Sequence, residues 1–137
     1  MTALYTATAV STGDARNGHV SSTDGLLDLD VRMPKELGGA GGATNPEQLF
    51  AAGYAACFHS ALKLVGGKAQ ADLSDTEVVA DVSLHADDLG FALSVQLEVT
   101  IPNVDAGTAQ KLVDAAHQVC PYSRATRGNV EVTLTVA

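Results

Sequence analysis

Asn45-Pro46-Glu47-Gln48-Leu49-Phe50-Ala51-Ala52-Gly53-Tyr54-Ala55-Ala56-Cys57-Phe58 opens the most distinctive segment of this chain. Asn45 can cap a helix. Pro46 suits the first helical position, where its missing N–H has no partner to lose, and Glu47 favours the positive helix end. The pattern predicts a helix running to about Val65 and stopping at Gly66-Gly67. Its middle, Leu49 to Leu64, is apolar on nearly every side, and such a helix is buried all round rather than laid on a surface. The Ala51-Ala52-Gly53-Tyr54-Ala55-Ala56 stretch is small enough for another backbone to approach closely. A chain of 137 residues has difficulty surrounding such a helix alone, so a second subunit is expected to help cover it.

Upstream of this helix the chain reads as strands. Tyr5 to Val10 and Gly18 to Ser22 flank turn signals at Gly13-Asp14 and Asn17-Gly18, and Leu27, Leu29 and Val31 alternate with Asp28, Asp30 and Arg32. Leu37 to Thr44 is a glycine-rich connection. It lacks the Gly-Lys-Ser/Thr continuation of a phosphate cradle and reads as a flexible link. Downstream, Glu77 to His85 and Phe91 to Ile101 alternate with period two, joined as a hairpin through Asp87-Asp88-Leu89-Gly90. Asp105 starts a second helix through Leu112, Val113, Ala116 and Val119, ended by Pro121. Val130, Val132, Leu134 and Val136 make a last strand. The order βββ-α-ββ-α-β predicts one α+β domain over residues 1–137, with no internal repeat.

Bulk properties narrow the function. The formal net charge is −8, with 16 Asp and Glu against 8 Lys and Arg. An acidic surface repels phosphate backbones and anionic lipid headgroups, so neither nucleic acid nor a membrane is an expected partner. No basic and apolar leader opens the chain, and no run of about 18 uninterrupted apolar residues is present. The expected location is the cytoplasm. There a structural disulfide is uncommon, and a cysteine pair is more often catalytic, redox-sensing or metal-binding.

The chain has two cysteines, Cys57 within the apolar helix and Cys120 at the end of the second helix. Free cysteine is often simply a core residue. The thiolate is the nucleophile, and burial raises a thiol's pKa, so a buried reactive cysteine needs a nearby cation. Arg16 lies in the turn Asp14-Ala15-Arg16-Asn17-Gly18, where by position alone it reads as a solvated turn residue. Glu47 reads first as a helix-start carboxylate. A metal reading must also be weighed, because His117 and Cys120 are three apart and Cys57 and His59 two apart. Two residues on a helix differ by roughly 200° in direction, which points Cys57 and His59 apart. His19 and His85 show no partner pattern and read as surface strand residues. No Gly-x-Ser-x-Gly elbow is present. These observations leave three classes open: a thiol peroxidase, a redox sensor or binding protein that does not turn over, and a metal-binding structural protein.

Ala15-Arg16-Asn17-Gly18, the Asn45–Phe58 segment and Val119-Cys120-Pro121-Tyr122-Ser123 together closely resemble the organic hydroperoxide resistance (Ohr) branch of the Ohr/OsmC superfamily. The resemblance extends over essentially the whole chain. It implies an intertwined homodimer in which β-sheets wrap central helices. It implies a thiol-dependent peroxidase for organic hydroperoxides, those of fatty acids included, that needs no cofactor and no metal. It further implies that Cys57 is the peroxidatic residue, Cys120 the resolving one, and Arg16 and Glu47 the activating pair. The expected reductant is a protein-borne dihydrolipoyl dithiol. Phe50, Tyr54 and Phe58 are candidate apolar walls that would favour alkyl over bare hydrogen peroxide.

One geometric difficulty follows from the helix itself. Glu47 precedes Cys57 by ten residues, which is roughly 15 Å of rise and about 80° away from alignment. A glutamate side chain cannot cover that distance. Either the helix breaks near Gly53, or the Glu47 serving each Cys57 comes from another subunit.

Overall fold

The computed structural model describes residues 1–137, whose contacts divide into two compact units, Met1–Leu49 and Phe50–Ala137. In the first unit β1 (Ala9–Thr12), β2 (His19–Ser22) and β3 (Asp28–Asp30) form an antiparallel sheet in sequence order. The strand expected from Tyr5 begins only at Ala9, because pairing runs from Ala9↔Ser22 to Thr12↔His19 and β2 reaches no further. His19, which the sequence left without a partner, sits opposite Asp30 and holds hydrogen bonds to both Asp28 and Asp30. Val31 is buried and forms a parallel bridge with Thr44, reinforced by the Arg32 N–H donating to the Thr44 carbonyl at 2.9 Å. The glycine-rich stretch between them folds back on main-chain hydrogen bonds, from Gly39 N–H to the Pro34 carbonyl and Gly41 N–H to the Met33 carbonyl. It is a built turn rather than the flexible link expected.

Helix α1 spans Pro46–Lys68. Its start follows the expectation: the Asn45 side-chain oxygen accepts the Gln48 N–H at 2.9 Å, satisfying one of the helix's free donors. Its end does not. The helix runs through Gly66 and Gly67 and closes with Gln70 in the left-handed region at φ 56. There Ala71 N–H donates to the Gly66 carbonyl and Gln70 N–H to the Gly67 carbonyl, the Schellman pattern. Gly66 serves packing instead of termination, since a Cβ there would lie 2.1 Å from a methyl of Leu73.

The second unit holds a three-stranded sheet ordered β4-β5-β6, with β4 at Glu77–Asp87, β5 at Gly90–Thr100 and β6 at Glu131–Val136. β4 and β5 make the predicted hairpin, closed by Asp87↔Gly90. β6 runs parallel to β5, with Val95↔Val132 and Leu97↔Leu134 in register. Parallel neighbours need a crossover, which α2 (Ala106–Val119) and α3 (Pro121–Thr126) provide. Asp105 caps α2, accepting the Thr108 N–H at 3.0 Å. α3 was not expected: Pro121 stops α2 but, placed at a helix start where its fixed φ fits, also begins the next helix.

The core of this unit joins one stripe of each element. Tyr54, Phe58 and Leu62 from α1 meet Val95, Leu97 and Val99 from β5, Ile101 just after it, and Ala109, Leu112, Val113 and Ala116 from α2. The i, i+4, i+8 spacing of the first set and the period of two in the second put each set on one face. The chain therefore has an α+β fold with two small sheets and three helices. α1 is long and apolar enough to cross a membrane, and only 28% of its apolar window is buried within the chain. Ala52, Ala56, Ser60 and Leu64, an exposed row at i+4 spacing, remain uncovered.

Candidate active site

The two cysteines come together. Cys57 projects half-buried from α1, Cys120 is fully buried, and their sulfurs lie 3.6 Å apart with both thiols free. A disulfide requires about 2.05 Å, so the reduced pair stands in non-bonded contact, a short movement from bonding. Cys120 owes its place to the junction between two helices. Its N–H closes α2 on the Ala116 carbonyl, and its own carbonyl accepts the Arg124 N–H that opens α3. Its extended backbone, φ −66 and ψ 123, is the bend between them.

Burial pushes the Cys57 thiol above its ordinary pKa. The main-chain N–H of Tyr122, directed at the sulfur, pulls the other way, while the neighbouring Cys120 adds to the rise. The groups around Cys57 in this unit thus favour the neutral thiol, the form that does not react.

The first unit brings Arg16 and Glu47 together. Arg16 sits on a 3-10 turn, Ala15–Asn17, between β1 and β2, and Glu47 is in the first turn of α1. The guanidinium donates to both carboxylate oxygens, at 3.1 and 2.9 Å, in the two-point geometry special to arginine. Each charge stabilises the other: hydrogen bonding from Arg16 holds the Glu47 carboxyl below the usual range, and Glu47 raises the Arg16 pKa further. The pair is neutral overall, and the carboxylate orientates the guanidinium that carries its positive end. α1 is unbroken from Pro46 to Lys68, which removes the possibility of a break near Gly53.

The three candidate wall residues separate. Tyr54 and Phe58 are completely buried in the core, and only Phe50 keeps open surface. The exposed ring beside it belongs to Tyr122, which the sequence reading missed. Tyr122 meets Phe50 edge-on at 6.2 Å between centroids and tilts over Tyr54 at 5.6 Å. It rests on Gly53, where a Cβ would come within 2.8 Å of its phenol oxygen. A glycine in the middle of the alanine-rich stretch Ala51–Ala56 was the available signal that something lies against it.

Behind this surface runs a chain of buried hydroxyls. The Tyr54 hydroxyl lies 2.8 Å from Ser123 Oγ and 3.2 Å from Thr126 Oγ1, and Ser123 Oγ lies 2.8 Å from His117 Nδ1. Burial lowers the His117 pKa, with Arg127 nearby adding to the effect. No three His, Cys, Asp or Glu side chains gather closely enough to hold a metal ion, and His59 Nε2 is buried without a hydrogen-bond partner.

Comparison with known proteins gives the family. Residues 39–135 match the family model described as OsmC-like protein. The organic hydroperoxide resistance protein of Xanthomonas axonopodis pv. citri is 53% identical over 137 residues, covering 98% of this chain and 95% of its own. Organic hydroperoxide resistance protein OhrB of Bacillus subtilis is 49% identical over 134 residues, covering 96% and 97%. Among solved structures, an organic hydroperoxide resistance protein from Legionella pneumophila superposes with a TM-score of 0.94 at 55% identity, covering 99% of each chain. One from Vibrio cholerae, with captopril bound in one of its active sites, has a TM-score of 0.92 at 47% identity, covering 99% of this chain and 94% of that one. Likeness of this extent in sequence and fold places the chain in the OsmC-like family, among its organic hydroperoxide resistance proteins.

Proposed function

We propose that this protein is a cysteine-based peroxidase for organic hydroperoxides, acting through Cys57 and Cys120. The observation that carries the reading is the 3.6 Å approach of the two sulfurs, one half-open and one buried. The Cys57 thiolate attacks one oxygen of R–O–O–H. The O–O bond breaks, R–OH leaves after taking up a proton, and Cys57 becomes a sulfenic acid. Cys120 then attacks the Cys57 sulfur. The S–S bond forms, the S–O bond breaks, and hydroxide departs with the Cys120 proton as water. A dithiol reopens the disulfide by exchange and is itself oxidised. The proposed reductant is a protein-borne dihydrolipoyl group.

This chemistry needs a cation at Cys57, since burial alone disfavours the thiolate. Arg16, orientated by Glu47, is the proposed source, and it would also offset charge on the reacting oxygens. α1 keeps Glu47 and Cys57 of one chain about 15 Å apart along its axis, so the pair is proposed to act across a homodimer interface. The uncovered row on α1 and the exposed Leu4, Tyr5, Val10 and Leu26 support a second subunit, because apolar surface of that extent calls for cover. Phe50 and Tyr122 would form the open apolar wall for the alkyl group, with Tyr54 and Phe58 behind them.

The test is steady-state consumption of cumene or tert-butyl hydroperoxide with dihydrolipoamide, compared with thioredoxin and glutathione systems. Turnover with the dithiol that disappears in Cys57→Ser supports the reading. Oxidation of one equivalent with no turnover under any reductant would favour a sensor.

A further inference from the structure

Cys120 is held by α3, and α3 is held by a line of buried hydroxyls. Ser123 and Thr126, the inward residues of α3, are almost wholly removed from solvent. A hydroxyl buried without a partner is destabilising; Thr126 Oγ1 donates to the Ser123 carbonyl within α3 at 3.1 Å, and the remaining partners come from other elements. The Tyr54 phenol reaches Ser123 and Thr126 from α1, and His117 Nδ1 reaches Ser123 from α2. Arg127, following α3, donates to the His117 carbonyl at 2.6 Å and ties the end of α3 back to α2.

The spacing relates this line to the thiols. Tyr54 is three residues before Cys57, His117 three before Cys120, and Ser123 three after Cys120. In each case the separation is close to one helical turn. The line Tyr54–Ser123–His117 therefore joins the three backbones that carry or flank the sulfurs. None of its hydrogen bonds goes to a sulfur.

We infer that Tyr54, Ser123 and His117 are positioning residues for the resolving step. They fix α3 against α1 so that Cys120 meets the Cys57 sulfenic acid before a second peroxide does. The inference rests on the peroxidase reading above. Two reactions compete for the sulfenic acid. Attack by Cys120 forms the S–S bond and releases water. Attack on a second R–O–O–H transfers one oxygen, releases R–OH and leaves a Cys57 sulfinic acid that Cys120 cannot reduce. Loosening α3 slows the first more than the second, because only the first needs Cys120 itself to reach the sulfur.

The experiment measures partition rather than activity. Full-length wild type and the variants Tyr54→Phe, Ser123→Ala and His117→Gln are cycled with cumene hydroperoxide and dihydrolipoamide. Mass spectrometry then gives Cys57 sulfinic acid per turnover. Each variant should raise this ratio about fivefold, the effect of one lost hydrogen bond of ordinary net strength. Ser123→Thr, which keeps the hydroxyl, should stay near wild type. A fold weakened without a role in positioning would reduce the amount of active protein but not the ratio. If Ser123→Ala fails to fold, Tyr54→Phe and His117→Gln decide. An unchanged ratio in both overturns the inference while wild-type turnover leaves the peroxidase reading intact. Absence of turnover in the wild type overturns both.

Discussion

The Arg16 guanidinium and the Glu47 carboxylate meet through two parallel hydrogen bonds of 3.1 and 2.9 Å, joining a turn between strands to the first turn of α1. The carboxylate fixes where the cation points. The proposed use of that cation is to lower the pKa of a thiol that burial alone raises.

Arg16→Ala should therefore raise the Cys57 pKa and lower the rate of peroxide attack at neutral pH, with the rate recovering as pH rises toward the thiol's own range. One pKa unit corresponds to about tenfold less thiolate when pH lies below the pKa. Arg16→Lys should rescue only in part, since an ammonium cannot make the planar two-point pair. Thiol titration by absorbance checks this; an identical Cys57 pKa in wild type and Arg16→Ala removes the electrostatic role.

Mixing a Cys57→Ser chain with a Glu47→Ala chain tests whether the pair acts across subunits. If it does, each heterodimer regains one working site, and the mixture exceeds both parents in peroxide consumption. A mixture that stays inactive despite subunit exchange, verified by native mass spectrometry, contradicts the composite site.

The helix start was legible because Asn45, Pro46 and Glu47 each act through local chemistry that one sequence displays. The alternating strands were legible for the same reason: β5 buries Val95, Leu97 and Val99, although Phe91, at the start of the same alternation, is exposed. What escaped depends on contacts between distant segments. Gly66-Gly67 looks like a helix stop, but Leu73 needs the space at Gly66. Pro121 ends one helix and starts another, and only the three-dimensional junction distinguishes these outcomes. The meeting of Cys57 with Cys120 was implied by the family resemblance, never by their spacing. Tyr122 and the hydroxyl line behind it were missed because Tyr54 has a polar tip whose partners lie 69 and 72 residues away.

Two pH effects should appear in stability, with opposite signs. Glu47 has a lowered folded pKa, chiefly from its Arg16 hydrogen bond, so its contribution is present above about 4.5 and lost as pH falls. His19 has a raised folded pKa, chiefly from Asp30 and then Asp28, so its contribution is present below about 6.5 and lost as pH rises. Urea titrations across pH should show Glu47→Gln flattening the acid limb and His19→Asn flattening the neutral one.

Gly66→Ala should destabilise by roughly 1–3 kcal/mol, the usual range for overpacking, because the added carbon would collide with the buried Leu73 side chain. Gly53→Ala should be milder in stability, since the colliding Tyr122 is 39% exposed and its ring can move. Thermal unfolding of the two variants side by side reads the difference.

The most direct measurement is peptide mapping by mass spectrometry after one equivalent of cumene hydroperoxide per chain. The predicted product is a disulfide between Cys57 and Cys120 of the same chain, with one cumyl alcohol released per disulfide. Cys120→Ser should instead trap Cys57 as sulfenic acid or its overoxidised forms. Both thiols remaining free, or only disulfides between subunits, would contradict the assignment of Cys57 and Cys120 as the reacting pair.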